Sequence, residues 1–83
     1  MRVQLRMSGL VARYLPPGAC DGKAEYDLPD GASVAELMDR LGIPGDGKHL
    51  VIVNDTAIPR AERPRHLLGD GDRISIVPPL KGG

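Results

Sequence analysis

The stretch from Ser33 to Pro44 constrains this chain more than any other, because it spells out one short helix from cap to stop. Ser33 followed three residues later by Glu36 is a capping box, in which each side chain meets a backbone N–H left open at the helix start. Val34, Leu37, Met38 and Leu41 fall at i, i+3, i+4 and i+7 and make one apolar stripe. Gly42 is placed to end the helix in a left-handed conformation, and Pro44 forbids its resumption. A helix of about nine residues does not stand alone in water, so its stripe has to be buried on a sheet.

The flanking segments supply that sheet. Val3, Leu5 and Met7 alternate with Arg2, Gln4 and Arg6, the period of a half-buried strand. Residues 8–15 suit a short helical turn, stopped by Pro16-Pro17-Gly18. A second strand is expected over Lys23 to Leu28, with Ala24, Tyr26 and Leu28 on one face. After the helix, Leu50-Val51-Ile52-Val53 is an apolar run ending at Asn54-Asp55, a tight-turn signal before a short return strand, Thr56-Ala57-Ile58. A helical turn is expected near Pro64–Leu67, a turn at Gly69-Asp70-Gly71-Asp72, and a last strand at Arg73–Val77 with Ile74 and Ile76 facing in. The order strand, strand, helix, strand, short strand, strand predicts an α+β fold of β-grasp type. It has a mixed sheet of four to five strands, the first and last parallel neighbours, with one main helix packed on one face. Residues 1–77 would form this domain, and 78–83 an extended tail.

With two Tyr, no Phe and no Trp, the core has to be aliphatic. Eleven basic and eleven acidic residues cancel, and stacking aromatics are scarce, which argues against a nucleic-acid partner. No apolar run reaches the length of a membrane span, and Met1-Arg2-Val3-Gln4 opens a strand alternation, not a signal peptide. A single cysteine, Cys20, permits no internal disulfide. A cytoplasmic location is the expectation.

Conventional catalytic and metal constellations are missing. His49 and His66 lack metal-ligand spacing and read as solvated, ordinary histidines. Asp70 and Asp72 lack the ligand ladder of a calcium loop and read as a turn. Gly45-Asp46-Gly47-Lys48 is too short for a phosphate-binding loop, and Cys20 has no nearby base to activate it. No metal and no cofactor held by this chain is expected.

The final six residues carry the chemical signal. Pro78-Pro79 directs Leu80-Lys81-Gly82-Gly83 away from the domain, and from Pro78 to Gly83 the extended reach is about 20 Å. Glycines without Cβ fit a narrow channel and leave the terminal carbonyl open to attack. A carboxylate at neutral pH is a poor electrophile, and adenylation by ATP would supply the leaving group.

Gly69-Asp70-Gly71-Asp72, the strand Arg73–Val77, Pro78-Pro79 and the terminal Gly82-Gly83 resemble the end of sulfur carriers of the MoaD/ThiS type. Asp30-Gly31-Ala32-Ser33-Val34-Ala35-Glu36-Leu37 resembles that family's helix entry, and Val51-Ile52-Val53-Asn54 its third strand. The resemblance implies a ubiquitin-like β-grasp fold. It also implies an E1-like adenylating enzyme as partner, which uses ATP and Mg²⁺ to activate Gly83 before a sulfurtransferase or persulfide yields the thiocarboxylate. The sulfur would pass to a synthase: the large subunit of molybdopterin synthase, slightly favoured by Pro78-Pro79, or thiazole synthase in thiamine biosynthesis. Tungsten cofactors are also served by the family. Such a chain is a protein substrate and sulfur donor, not an enzyme, although it can be the small subunit of a synthase complex. The alternatives are a ubiquitin-like modifier conjugated through its terminal glycine, and a β-grasp interaction module. The last strand departs from many MoaD-type members in carrying no aromatic at Ile76-Val77.

On this reading Gly83 is the reacting residue, and Gly82, Lys81, Leu80, Pro79 and Pro78 form the tail that enters a partner. Ile74, Ile76, Val51 and Val53 are needed inside, so Val77 and Ile52 should point away from the helix and offer a partner-docking patch.

Overall fold

The computed structural model describes residues 1–43 and 49–78. Strands β1 (Arg2–Met7), β2 (Lys23–Asp27), β3 (Leu50–Val53), β4 (Thr56–Ala57) and β5 (Arg73–Val77) form one sheet, with helix α1 spanning Val34–Leu41. The sheet order is β2-β1-β5-β3-β4. β1 and β5 run parallel, and every other neighbouring pair is antiparallel. This is the β-grasp arrangement read from the order of elements, with β5 returning to the centre.

The strand alternation becomes the core. Val3, Leu5 and Met7 on β1, Val51 and Val53 on β3, and Ile74 and Ile76 on β5 are buried together with Val34, Leu37 and Met38 of α1. No aromatic side chain lies in the fully buried set, whose largest members are Leu5, Leu37, Ile74 and Ile76. Tyr14 and Tyr26 pack only on its margin.

Ser33 caps α1, its Oγ accepting from the Glu36 N–H at 3.1 Å. The reciprocal half of the expected capping box is replaced. The Glu36 carboxylate accepts instead from Arg40 Nε at 3.1 Å, because a guanidinium one turn on is a stronger, charge-assisted donor than a backbone amide. Two further N–H groups at the helix start donate to a distant loop: Val34 to the His66 carbonyl at 3.0 Å and Ala35 to the Arg63 carbonyl at 3.1 Å. Gly42 ends the helix at φ +79°, as its position predicts. Pro44 lies outside the described residues.

Asn54 and Asp55 have φ of 48° and 71°, both left-handed, as a two-residue hairpin turn requires. Asn54 also ties this turn to β5. Its Nδ2 donates to Asp72 Oδ1 and its Oδ1 accepts from the Arg73 N–H, each at 2.9 Å. The loop after β4 opens with a 3₁₀ helix, Arg60–Glu62, begun at the Pro59 carbonyl, and the turn expected near Pro64 follows it, the Glu62 carbonyl accepting from the Arg65 and His66 N–H groups at 3.0 and 2.8 Å. The earlier short turn is a 3₁₀ helix over Gly9–Tyr14.

Candidate functional site

The helix covers one face of the sheet and leaves the other open. On that face the alternation turns out Leu50 and Ile52 from β3, Ser75 and Val77 from β5, and Gln4 and Arg6 from β1. Register places Leu50 opposite Val77 and Ile52 opposite Ser75. Ile52 and Val77 are partly exposed, where the sequence places them, and Leu50 joins them at 46% exposure. Leu50 was not singled out, although the alternation that sends Ile52 outward sends Leu50 to the same face. Three aliphatic side chains therefore form an apolar corner at the end of β5, next to the first residue of the expected tail.

Pro78 is the last described residue of that tail, and it is partly buried. It sits against Gly9, where φ is +61° and where an added Cβ would lie 3.3 Å from the Pro78 ring. The β5 backbone explains why pairing stops here. Successive residues of a strand aim their N–H groups at alternate neighbours. The Arg73 carbonyl accepts from Asn54 on the β3 side, so positions 74, 76 and 78 turn toward β1. Pro78 has no N–H to offer β1, and the ladder ends. Pro79, Leu80, Lys81, Gly82 and Gly83 lie outside the described residues.

The remaining polar candidates have structural roles. Asp72 Oδ2 accepts from the Gly69 N–H at 2.7 Å and closes the turn before β5, and Asp70 Oδ1 accepts from the Arg2 N–H at 2.8 Å and ties that turn to the start of β1. Arg2 pairs with Asp27 at 3.0 Å, and that hydrogen bond, followed by the charges of Asp27 and Glu25, raises its pKa. Cys20 is a free, exposed thiol. His49 is not the solvated side chain expected. It is partly buried, and its Nδ1 is enclosed with no hydrogen-bond partner among the described residues. Its carbonyl accepts from Nη2 of Arg63, a cation only 6% exposed that no local pattern announces. No group of three or more potential metal ligands occurs among the described residues, and no helix there is long and apolar enough to cross a membrane.

A five-stranded mixed sheet with one helix on one face is the β-grasp fold that the MoaD/ThiS resemblance implies. The sequence profile of the ThiS family matches residues 17–83, through the final glycine. The chain belongs to the ThiS family. No curated protein matches it in sequence. Solved structures similar to this ThiS-family chain include SAMP1 from Haloferax volcanii, at TM-score 0.72 and 18% identity over 100% of both chains. A complex of subunits 1 and 2 of molybdopterin-converting factor from Helicobacter pylori aligns at TM-score 0.62 and 24% identity, again over 100% of both chains. The small archaeal modifier protein 1 (SAMP1) of Methanosarcina acetivorans aligns at 0.65 and 22%, over 99% of this chain and 96% of that one. At these identities the likeness establishes the fold, a ubiquitin-like β-grasp.

Proposed function

We propose that this ThiS-family chain is a cytoplasmic sulfur carrier, a protein substrate with no catalysis of its own. The Gly83 carboxylate attacks the α-phosphorus of ATP on an E1-like enzyme that holds Mg²⁺, and pyrophosphate leaves. A persulfide sulfur then displaces AMP from the acyl-adenylate, and a thiol reductant releases the thiocarboxylate. The observation that carries this reading is the family match running through Gly82-Gly83 on a fold whose open face presents Leu50, Ile52 and Val77 beside the tail root. Pro78 supports it by ending the β5 ladder, and Pro79 likewise has no N–H with which to extend a strand. The sulfur acceptor favoured is the large subunit of molybdopterin synthase over thiazole synthase. Supporting this are Pro78-Pro79 and the end-to-end likeness to a chain whose structure was solved with subunit 2 of molybdopterin-converting factor.

The second reading, a ubiquitin-like modifier, is favoured by the likeness to two proteins named SAMP1, one of them named in full as a small archaeal modifier protein. Both readings share the adenylate and differ in what attacks it. The intact mass of the chain, purified after co-expression with an E1-like enzyme and a sulfurtransferase, separates them. Exchange of one oxygen for sulfur at Gly83 is the expected result. Recovery of Gly83 only in isopeptide bonds to lysine would overturn the carrier reading in favour of the modifier.

A further inference from the structure

The open face carries a feature that its apolar corner does not explain. Arg6 on β1 and Lys23 on β2 stand directly opposite each other in the antiparallel ladder, and both are exposed. Like charges at directly opposed positions destabilise a sheet. The neighbouring cations are matched: Arg2 with Asp27 at 3.0 Å and Glu25 at 3.8 Å, and Arg73 with Asp55 at 3.7 Å. Arg6 and Lys23 have no ion-pair partner among the described residues. They line one shallow concavity of about 370 Å³ with Glu25, Ile52, Arg73 and Ser75, and Glu25 is already engaged by Arg2. Ile52 belongs both to this concavity and to the apolar corner, so two uncompensated cations and three aliphatic side chains form one continuous surface.

We propose that this surface takes a protein partner that presents acidic side chains beside an apolar anchor, the carboxylates lying on Arg6 and Lys23 and the anchor on Leu50, Ile52 and Val77. The inference rests on the open face being the docking side of the carrier, and it adds the chemistry of what docks. Charge complementarity decides the occupant. The repulsion between Arg6 and Lys23 in the free chain is relieved only by an anionic group, and the adjoining aliphatic corner only by an apolar one. A small inorganic anion would leave that corner in water.

The test uses the full chain and the purified E1-like adenylating enzyme of the same genome, by titration calorimetry without ATP at low and high salt. The wild-type chain is expected to bind with an affinity that falls steeply as salt rises. The double variant Arg6→Gln/Lys23→Gln is expected to bind about tenfold or more weakly at low salt, with a flatter salt dependence. Its Tm should equal or exceed that of the wild type, because the opposed charges are gone. Unchanged affinity and salt dependence in the double variant, or no binding by the wild type, overturns the proposal. So does a shift of the Arg6 and Lys23 side-chain NMR signals when residues 79–83 are deleted from the free chain, since the chain's own carboxylate would then be the anion. Adenylation is read separately on the wild type. Salt-sensitive binding without ATP–pyrophosphate exchange would overturn the carrier reading and leave the docking chemistry standing.

Discussion

Ile76 and Val77 are neighbours in the sequence and belong to opposite sides of the molecule. Ile76 is 1% exposed in the core, whereas Val77 faces out beside Leu50. Their substitutions should separate cleanly. Ile76→Ala is expected to lower the unfolding free energy by about 2–5 kcal/mol, measured by urea denaturation, because it removes buried methylenes and leaves a cavity. Val77→Asp is expected to cost less than about 1 kcal/mol in stability and to weaken partner binding by about tenfold. A large fall in Tm for Val77→Asp with unchanged binding would make it a core residue. Period-two alternation suffices to assign these two, since a strand offers each residue only two faces. The same alternation says nothing of Arg63 or His49. Their environment is set by a contact between the loop after β4 and the start of β3, distant in sequence and marked by no local pattern.

Among the elements, α1 was the most legible, because its cap, stripe and stop are all local chemistry. What the sequence could not show was competition for the cap. Arg40 takes the Glu36 carboxylate, while the His66 and Arg63 carbonyls arrive from another loop to accept from Val34 and Ala35. Ser33→Ala should therefore cost about 1 kcal/mol of stability, as for a lost N-cap. Glu36→Gln should cost only a few tenths, about the worth of an exposed i,i+4 pair. Equal losses at the two positions in urea denaturation would mean that the box is reciprocal after all. The loop after β4 was less legible: the turn across Pro64 could be read from the sequence, whereas the 3₁₀ helix Arg60–Glu62 before it, begun at the Pro59 carbonyl, carries no comparable local signal.

At the scale of the whole molecule, the fold brings the first and last strands together at the sheet centre, so β5 leads from the core to Pro78. The β-grasp architecture could be read from the order of elements. The role proposed for residues 78–83 rests on their chemistry and the family resemblance, since a carboxylate activated elsewhere needs no catalytic cluster within its own domain. The proposed function requires Gly83 to be the activated residue, and ATP–pyrophosphate exchange on the E1-like enzyme tests that most directly. The enzyme is assayed with the chain ending at Gly83, with the chain lacking Gly83, and with one residue appended after it, folding being checked by circular dichroism. Exchange is expected with the first chain alone, and folded spectra with all three. Exchange of equal rate with the appended chain would contradict the proposed function.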